Sequence, residues 1–196
     1  MAPVRREQIV RATIRCLARD GYTGLTMKKV ARQARVSQGS LHYYFRDKRA
    51  ILVAALETVV ADLDRRVAAA QVRRRRDPRA RLGALVGACL ETAVVDREVW
   101  VVFVEFWGEM MHDAALRATN AAIYERTRRL IGRLVTDGVR AGAFRPVDVR
   151  HAAGVILGLV DGVALQITFD PDAFTVRAAR RFCEDALLRY LAVGTL

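Results

Sequence analysis

Gln38, Ser40, His42 and Tyr43 fall within six residues, with Lys28, Lys29 and Lys48 to either side. Side chains of these types at this spacing can grip and read a nucleic acid. A Gln amide forms a bidentate pair with adenine, and a Ser hydroxyl bonds several bases. Tyr hydroxyls and Lys ammonium groups reach phosphates, which orients a protein on the duplex without reading its sequence. Thr26 and Ser37 each precede a helical stretch, where a side-chain oxygen accepts from free backbone N–H groups. Gly39 carries no side chain and lets a helix end approach a groove closely.

The elements that must position these groups are two short helices and a turn. In TMKKVARQARVSQGSLHYYFRDK, residues 26–48, Val30, Ala31 and Ala34 share one face of a first helix. Val36 fills the turn. Leu41 and Tyr44, three apart, share the inner face of a second helix, with Phe45 also assigned to the core. This is a helix-turn-helix, whose second helix enters the major groove with its N-terminal residues against base edges. Lysines in a first helical turn oppose the helix dipole, so Lys28, Lys29 and Lys48 make better sense if a phosphate approaches them. Charge points the same way. Residues 1–50 hold twelve Lys and Arg against three acids, a net +9 of the chain's +12. A basic head on a nearly balanced body implies a polyanionic partner for the head alone.

The 196 residues, 53% hydrophobic and 28% charged, are globular rather than disordered. Strand signals are nearly absent, so the fold is all-α, with about nine helices. Cys16, Cys89 and Cys183 are odd in number and far apart, as expected of free thiols in a reducing compartment. The opening residues lack the apolar run of a secretory signal. The two most apolar stretches, 100–107 and 152–169, carry Glu105 and Asp161 and read as buried helices, with no membrane partner expected. The protein is expected in the cytoplasm. His42, His112 and His151 are isolated, and no nucleophile elbow, HExxH or phosphate loop occurs, which argues against an enzyme and against a metal or other cofactor.

A first helix is expected over about 5–20, with Ile9, Ala12, Thr13, Cys16 and Leu17 inward and Gly21 ending it. Asp47 caps a long fourth helix reaching Val72, the mechanical link out of the head. A polar connection with four arginines, 73–76, follows. Further helices are expected at about 78–95, 98–111, 113–141, 147–168 and 173–193, the last opened by Asp170-Pro171-Asp172. The division expected is 1–50 for DNA binding and 51–196 for ligand binding and dimerisation.

The body offers two sets of functional candidates. Helix 98–111 is apolar nearly all round, and Trp100, Phe103, Trp107 and Met111 share one face, either plain core or the wall of a ligand pocket. Glu105 or Glu109 among them, joined by Tyr124 and Asp161, would give an acid with aromatics, the arrangement that holds an organic cation. Gly154, Gly158 and Gly162 recur every fourth residue, so another helix backbone can approach their face, either from a second subunit or within the same one.

Residues 5–52 resemble the N-terminal domain of the TetR family of transcriptional regulators. The likeness rests on the helix-1 stripe ending at Gly21, then Thr26, Val30-Ala31, Val36-Ser37, Gly39, the run His42-Tyr43-Tyr44-Phe45, Asp47-Lys48 and Ile51-Leu52. The body is similar to the choline-responsive BetI group, through Trp100, Phe106-Trp107, Met111-His112 and the segment 158–162. The resemblance implies a ligand-responsive repressor, dimeric through a four-helix interface. Two recognition helices about one DNA turn apart would then meet a palindromic operator. The ligand is expected to be small and cationic or amphipathic. One position departs from the family: the turn, usually Gly, is Arg35. A positive φ there would cost about 1 kcal/mol, which a nearby phosphate could offset.

Overall fold

The computed structural model describes residues 2–72, Arg74 and residues 76–192. Nine α-helices and no strand occur among the described residues: α1 Ala2–Gly24, α2 Met27–Gln33, α3 Gln38–Tyr44, α4 Lys48–Val72, α5 Pro78–Val95, α6 Arg97–Met110, α7 Ala114–Arg140, α8 Val149–Phe169 and α9 Val176–Tyr190. They form two compact units, residues 1–62 with 96–120, and residues 63–95 with 121–196. Along the chain, α4 and α7 pass from one unit into the other.

In the first unit, α1 packs against α2 and α6, and α2 against α3. The α1 stripe of Ile9, Ala12, Thr13, Cys16 and Leu17 is buried. The Thr13 hydroxyl is satisfied by donating to the Ile9 carbonyl, 3.0 Å away. Gly21 interrupts α1 without ending it: at φ 66°, ψ 176° the backbone leaves the helix, and a last turn runs on to Gly24. Glycine enters this region without a Cβ clash. Val30, Ala31, Ala34, Leu41 and Phe45 are buried, holding α2 and α3 together. Asp47 caps α4 by accepting from the Ala50 N–H at 2.7 Å, and Ile51, Leu52, Ala55, Leu56 and Val59 line the buried side of that helix.

In the second unit, α5 packs against α8 and α9, and α8 against α9. Asp77 precedes Pro78 and accepts from the N–H groups of Arg79 and Ala80, so α5 begins with a capping acid and a proline that lacks the donor anyway. The end of α7 is closed by Gly142 at φ 67°, with Ala143 N–H donating to the Gly138 carbonyl at 2.9 Å and Gly142 N–H to that of Val139 at 3.0 Å, the Schellman pattern. Gly138 is obligatory for a different reason, since a Cβ there would lie 2.0 Å from the Phe144 ring. The last helix begins later than the sequence implies: Asp170-Pro171-Asp172 forms a turn, and Thr175 is the cap, accepting from Ala178 N–H at 3.2 Å. Of the four-arginine connection, Arg73 and Arg75 lie outside the described residues, as does Val193 at the expected end of α9. All three cysteines are free thiols. By length and composition α8 could cross a membrane; it also carries Asp161 and packs on two neighbours in its unit.

Candidate nucleic-acid interface and ligand-responsive helices

Both helices of the DNA-reading pair are capped as expected. Thr26 accepts from Lys29 N–H at 3.2 Å and Ser37 from Ser40 N–H at 3.1 Å. These bonds satisfy donors that would otherwise be orphaned at each helix start. In the first turn of α3, Gln38 and Gly39 are exposed and Ser40 is half-buried. A Cβ built on Gly39 would meet only the Ser37 hydroxyl oxygen, 4.0 Å away. Packing within the subunit therefore does not demand glycine at 39, and the space beside it is open to an outside partner. His42 is exposed, and Tyr43 is 82% exposed, supported edge-on by the Tyr44 ring at 5.1 Å. The turn residue Arg35 has φ 53°, the value its departure from glycine brought into question.

The three lysines of the candidate set fall into two environments. Lys28 is exposed. Lys29 donates to the Gly24 carbonyl at 2.8 Å and lies 3.1 Å from Asp20. Asp20 is also gripped by Arg19, and these two partners hold its carboxyl well below the usual carboxylate range. Lys48 donates to the Tyr22 carbonyl and sits 3.7 Å from the centre of the Tyr22 ring. Burial pulls the Lys48 ammonium below its ordinary value, opposed by Glu109 and Glu105.

Tyr22 is the centre of a junction that sequence reasoning missed. Its N–H donates to Glu105 of α6 at 2.7 Å, while Lys48 of α4 takes its carbonyl. Beside it, Arg49 of α4 is 2.8 Å from Asp113. Glu105 was expected among the aromatics of α6, yet it meets the break after Gly21. The reason is helical arithmetic. At about 100° per residue, Glu105 lies roughly 140° around the helix from Trp100, whereas Phe103 and Trp107 lie close to it.

On the aromatic face, Trp100 packs against Phe103 and Trp107, with ring centres 5.6 and 5.9 Å apart. Trp100 is buried and its indole N–H has no partner among the described residues. Phe103 and Trp107 are half-buried. Met111 lies just past the end of α6 and is 68% exposed. Tyr124 and Asp161 belong to the other unit, where the Tyr124 hydroxyl donates to Asp161 at 2.7 Å. Burial raises the Asp161 carboxyl above its ordinary value, a shift the Tyr124 hydrogen bond opposes. Burial, then Asp161, raises the Tyr124 phenol. A second acid of this unit, Asp64, is raised by burial and paired with Arg126 at 2.8 Å; nothing in its sequence surroundings marks it out. On α8, Gly154 and Gly158 are exposed and Gly162 half-buried. A Cβ at any of the three meets nothing within 4 Å.

Residues 9–55 match the family described as bacterial regulatory proteins, tetR family, and residues 78–192 match the BetI-type transcriptional repressor C-terminal family. The chain is 32% identical over 192 residues to the HTH-type transcriptional regulator BetI of Burkholderia ambifaria, covering 98% of this chain and 96% of that relative. BetI of Paraburkholderia phymatum is 31% identical over 98% of this chain and 95% of its own. A transcriptional regulator from Saccharomonospora viridis, solved in complex with choline, superposes with a TM-score of 0.84 at 27% identity, covering 97% of this chain and 98% of that one. With the helix-turn-helix built as described and both halves of the chain matched, this protein belongs to the TetR family of helix-turn-helix transcriptional regulators, in its BetI-type branch.

Proposed function

We propose that this regulator is a cytoplasmic repressor that binds a palindromic operator as a homodimer and is released by a small organic cation. The observation that carries the reading is the first turn of α3: Gln38 exposed, Gly39 beside open space, and Tyr43 outward along the same helix. Gln38 and Ser40 are assigned to base edges. Thr26, Lys28, Lys29, Ser37, His42, Tyr43 and Lys48 are assigned to the backbone of the duplex, and Gly39 to close approach. Residues 1–50 act as the DNA-binding domain and 51–196 as the ligand-binding and dimerisation domain.

Dimerisation is assigned to α8 and α9. The open space at Gly154, Gly158 and Gly162 favours a second subunit over packing within one, because no described residue of this subunit comes within 4 Å of a Cβ placed there. Val155 and Phe182, 46% and 42% exposed, add apolar surface on the same two helices. Gly158→Glu should leave the fold intact and give monomers by gel filtration; persistence of dimers would move the interface elsewhere.

For the ligand, the choline held by the Saccharomonospora viridis relative supports a quaternary amine. Two sites of this chain suit one, each by its own chemistry. The rings of Trp100, Phe103 and Trp107 offer cation–π attraction, about 2 kcal/mol or more when water is excluded, and Asp161 supplies a carboxylate oriented by Tyr124. Ligand must favour the DNA-incompetent state in order to act. The test is operator binding with and without choline. Choline should release wild type, and Trp107→Ala should keep apo affinity while losing release. Release by fatty-acyl compounds alone would overturn the cation assignment, and failure of Trp107→Ala to fold would return that face to plain core.

A further inference from the structure

Among the described residues, Arg35 is the one residue other than glycine with a left-handed backbone, at φ 53°. Glycine would adopt that geometry without a Cβ clash, so the arginine needs a reason. Three hydrogen bonds hold the turn in place. Arg35 N–H donates to the Arg32 carbonyl at 3.1 Å, and Val36 N–H to the Ala31 carbonyl at 3.0 Å, which closes α2 in the Schellman manner. Gln8, reaching over from α1, donates its side-chain N–H to the Ala34 carbonyl at 2.7 Å. A strained residue persists where its surroundings over-determine it, and such sites concentrate at functional positions.

The side chain completes the case. Arg11, Arg19, Arg46 and Arg49 of the same unit each lie 2.5–3.1 Å from an acid. Arg35 is exposed and has no hydrogen bond or ion pair of its guanidinium among the described residues. Two residues on, Ser37 caps α3 and sets the turn that carries Gln38. We propose that Arg35 binds a backbone phosphate of the DNA, so that the strained turn acts as a clamp fixing how deeply α3 sits in the groove. The proposal rests on the DNA-binding reading and adds a contact that sequence likeness does not supply, since the usual glycine has no charge to offer.

The experiment is a salt titration of binding to a random-sequence duplex and to a palindromic site selected from a random pool, with a thermal melt of each variant. Arg35→Gly should melt at or above the wild-type temperature. It should bind both DNAs about eight-fold more weakly per subunit at about 0.1 M salt, roughly sixty-fold for the dimer, with a slope smaller by about 0.9 per subunit. Arg35→Lys should keep the slope. Gln8→Ala, which unclips the turn, should weaken binding in the wild-type background and add nothing to Arg35→Gly. An unchanged slope for Arg35→Gly, or a loss confined to the selected site, would overturn the clamp while leaving DNA binding intact. Absence of salt-dependent binding by wild type would instead overturn the DNA-binding reading beneath it.

Discussion

The outer surface of α2 and α3 and the junction around Tyr22 draw on the same residue types, and they use them in opposite ways. Along α2 and α3, Lys28, Arg35, Gln38, His42 and Tyr43 are exposed. Around Tyr22, Glu105 of α6 accepts from the backbone N–H and Lys48 of α4 donates to the backbone carbonyl, so α4 and α6 are both tied to α1. Exposed groups without partners are available to a ligand; internally bonded ones hold the unit's geometry. The lesson is that basic character near a reading helix does not by itself make a DNA contact. Lys29 and Lys48 sit in the basic head yet have work inside it, and only their remaining donor capacity is open to phosphate.

Substitutions can set the two regions apart. The largest stability effect is expected for Glu105→Ala, which leaves the Tyr22 N–H without its acceptor and removes one of the two acids, Glu109 and Glu105, that support the Lys48 charge. A buried donor left unsatisfied costs about 1–3 kcal/mol, and this bond is part-buried, so the urea midpoint should fall by an amount towards the lower end of that range while the salt slope on DNA stays at the wild-type value. Gln38→Ala should do the reverse, losing about 1–3 kcal/mol on the selected site and staying within about 0.5 kcal/mol of wild type in stability, as surface changes do. Lys48→Ala falls between them. It should lose about 1 kcal/mol of stability with its hydrogen bond to Tyr22 and reduce the salt slope by less than Lys28→Ala does.

Asp161 gives the smallest and most condition-dependent effect. Its carboxyl is raised in the folded state by burial, so its contribution to stability is present below the unfolded carboxyl value and is lost as pH rises through the folded one. Asp161→Asn keeps an acceptor for Tyr124 and removes the buried charge. Thermal melts from pH 4 to neutral should therefore show a shallower pH dependence in the variant, with equal or greater stability at neutral pH. Equal pH profiles would remove the buried charge from the account of this pair.

Much of the architecture was legible in the sequence because it rests on local chemistry. The α1 stripe follows from helical period, and the caps at Thr26, Ser37 and Asp47 lie next to the N–H groups they satisfy. The turn at Arg35 was legible for a related reason, since closing α2 this way needs a left-handed residue whatever its side chain. What could not be read is tertiary: Lys48 meets Tyr22 from 26 positions away, and Glu105 meets it from 83. The side of α6 on which Glu105 falls follows from helical arithmetic, which sets it roughly 140° from Trp100 and away from the aromatic face. The late start of α9 turned on which of several polar residues capped it, a choice made by the path of the chain through Asp170 and Pro171.

In the proposed division of labour, α2 and α3 meet DNA while the Tyr22 junction sustains the unit that carries them. It is tested most directly by one matched measurement, the salt dependence of binding of Gln38→Ala and Glu105→Ala to the selected palindrome and to random duplex, at a temperature where both are folded. Gln38→Ala is expected to lose affinity on the palindrome alone, and Glu105→Ala to keep the discrimination between the two DNAs. Equal losses on both DNAs for Gln38→Ala, or collapse of discrimination in folded Glu105→Ala, would contradict it.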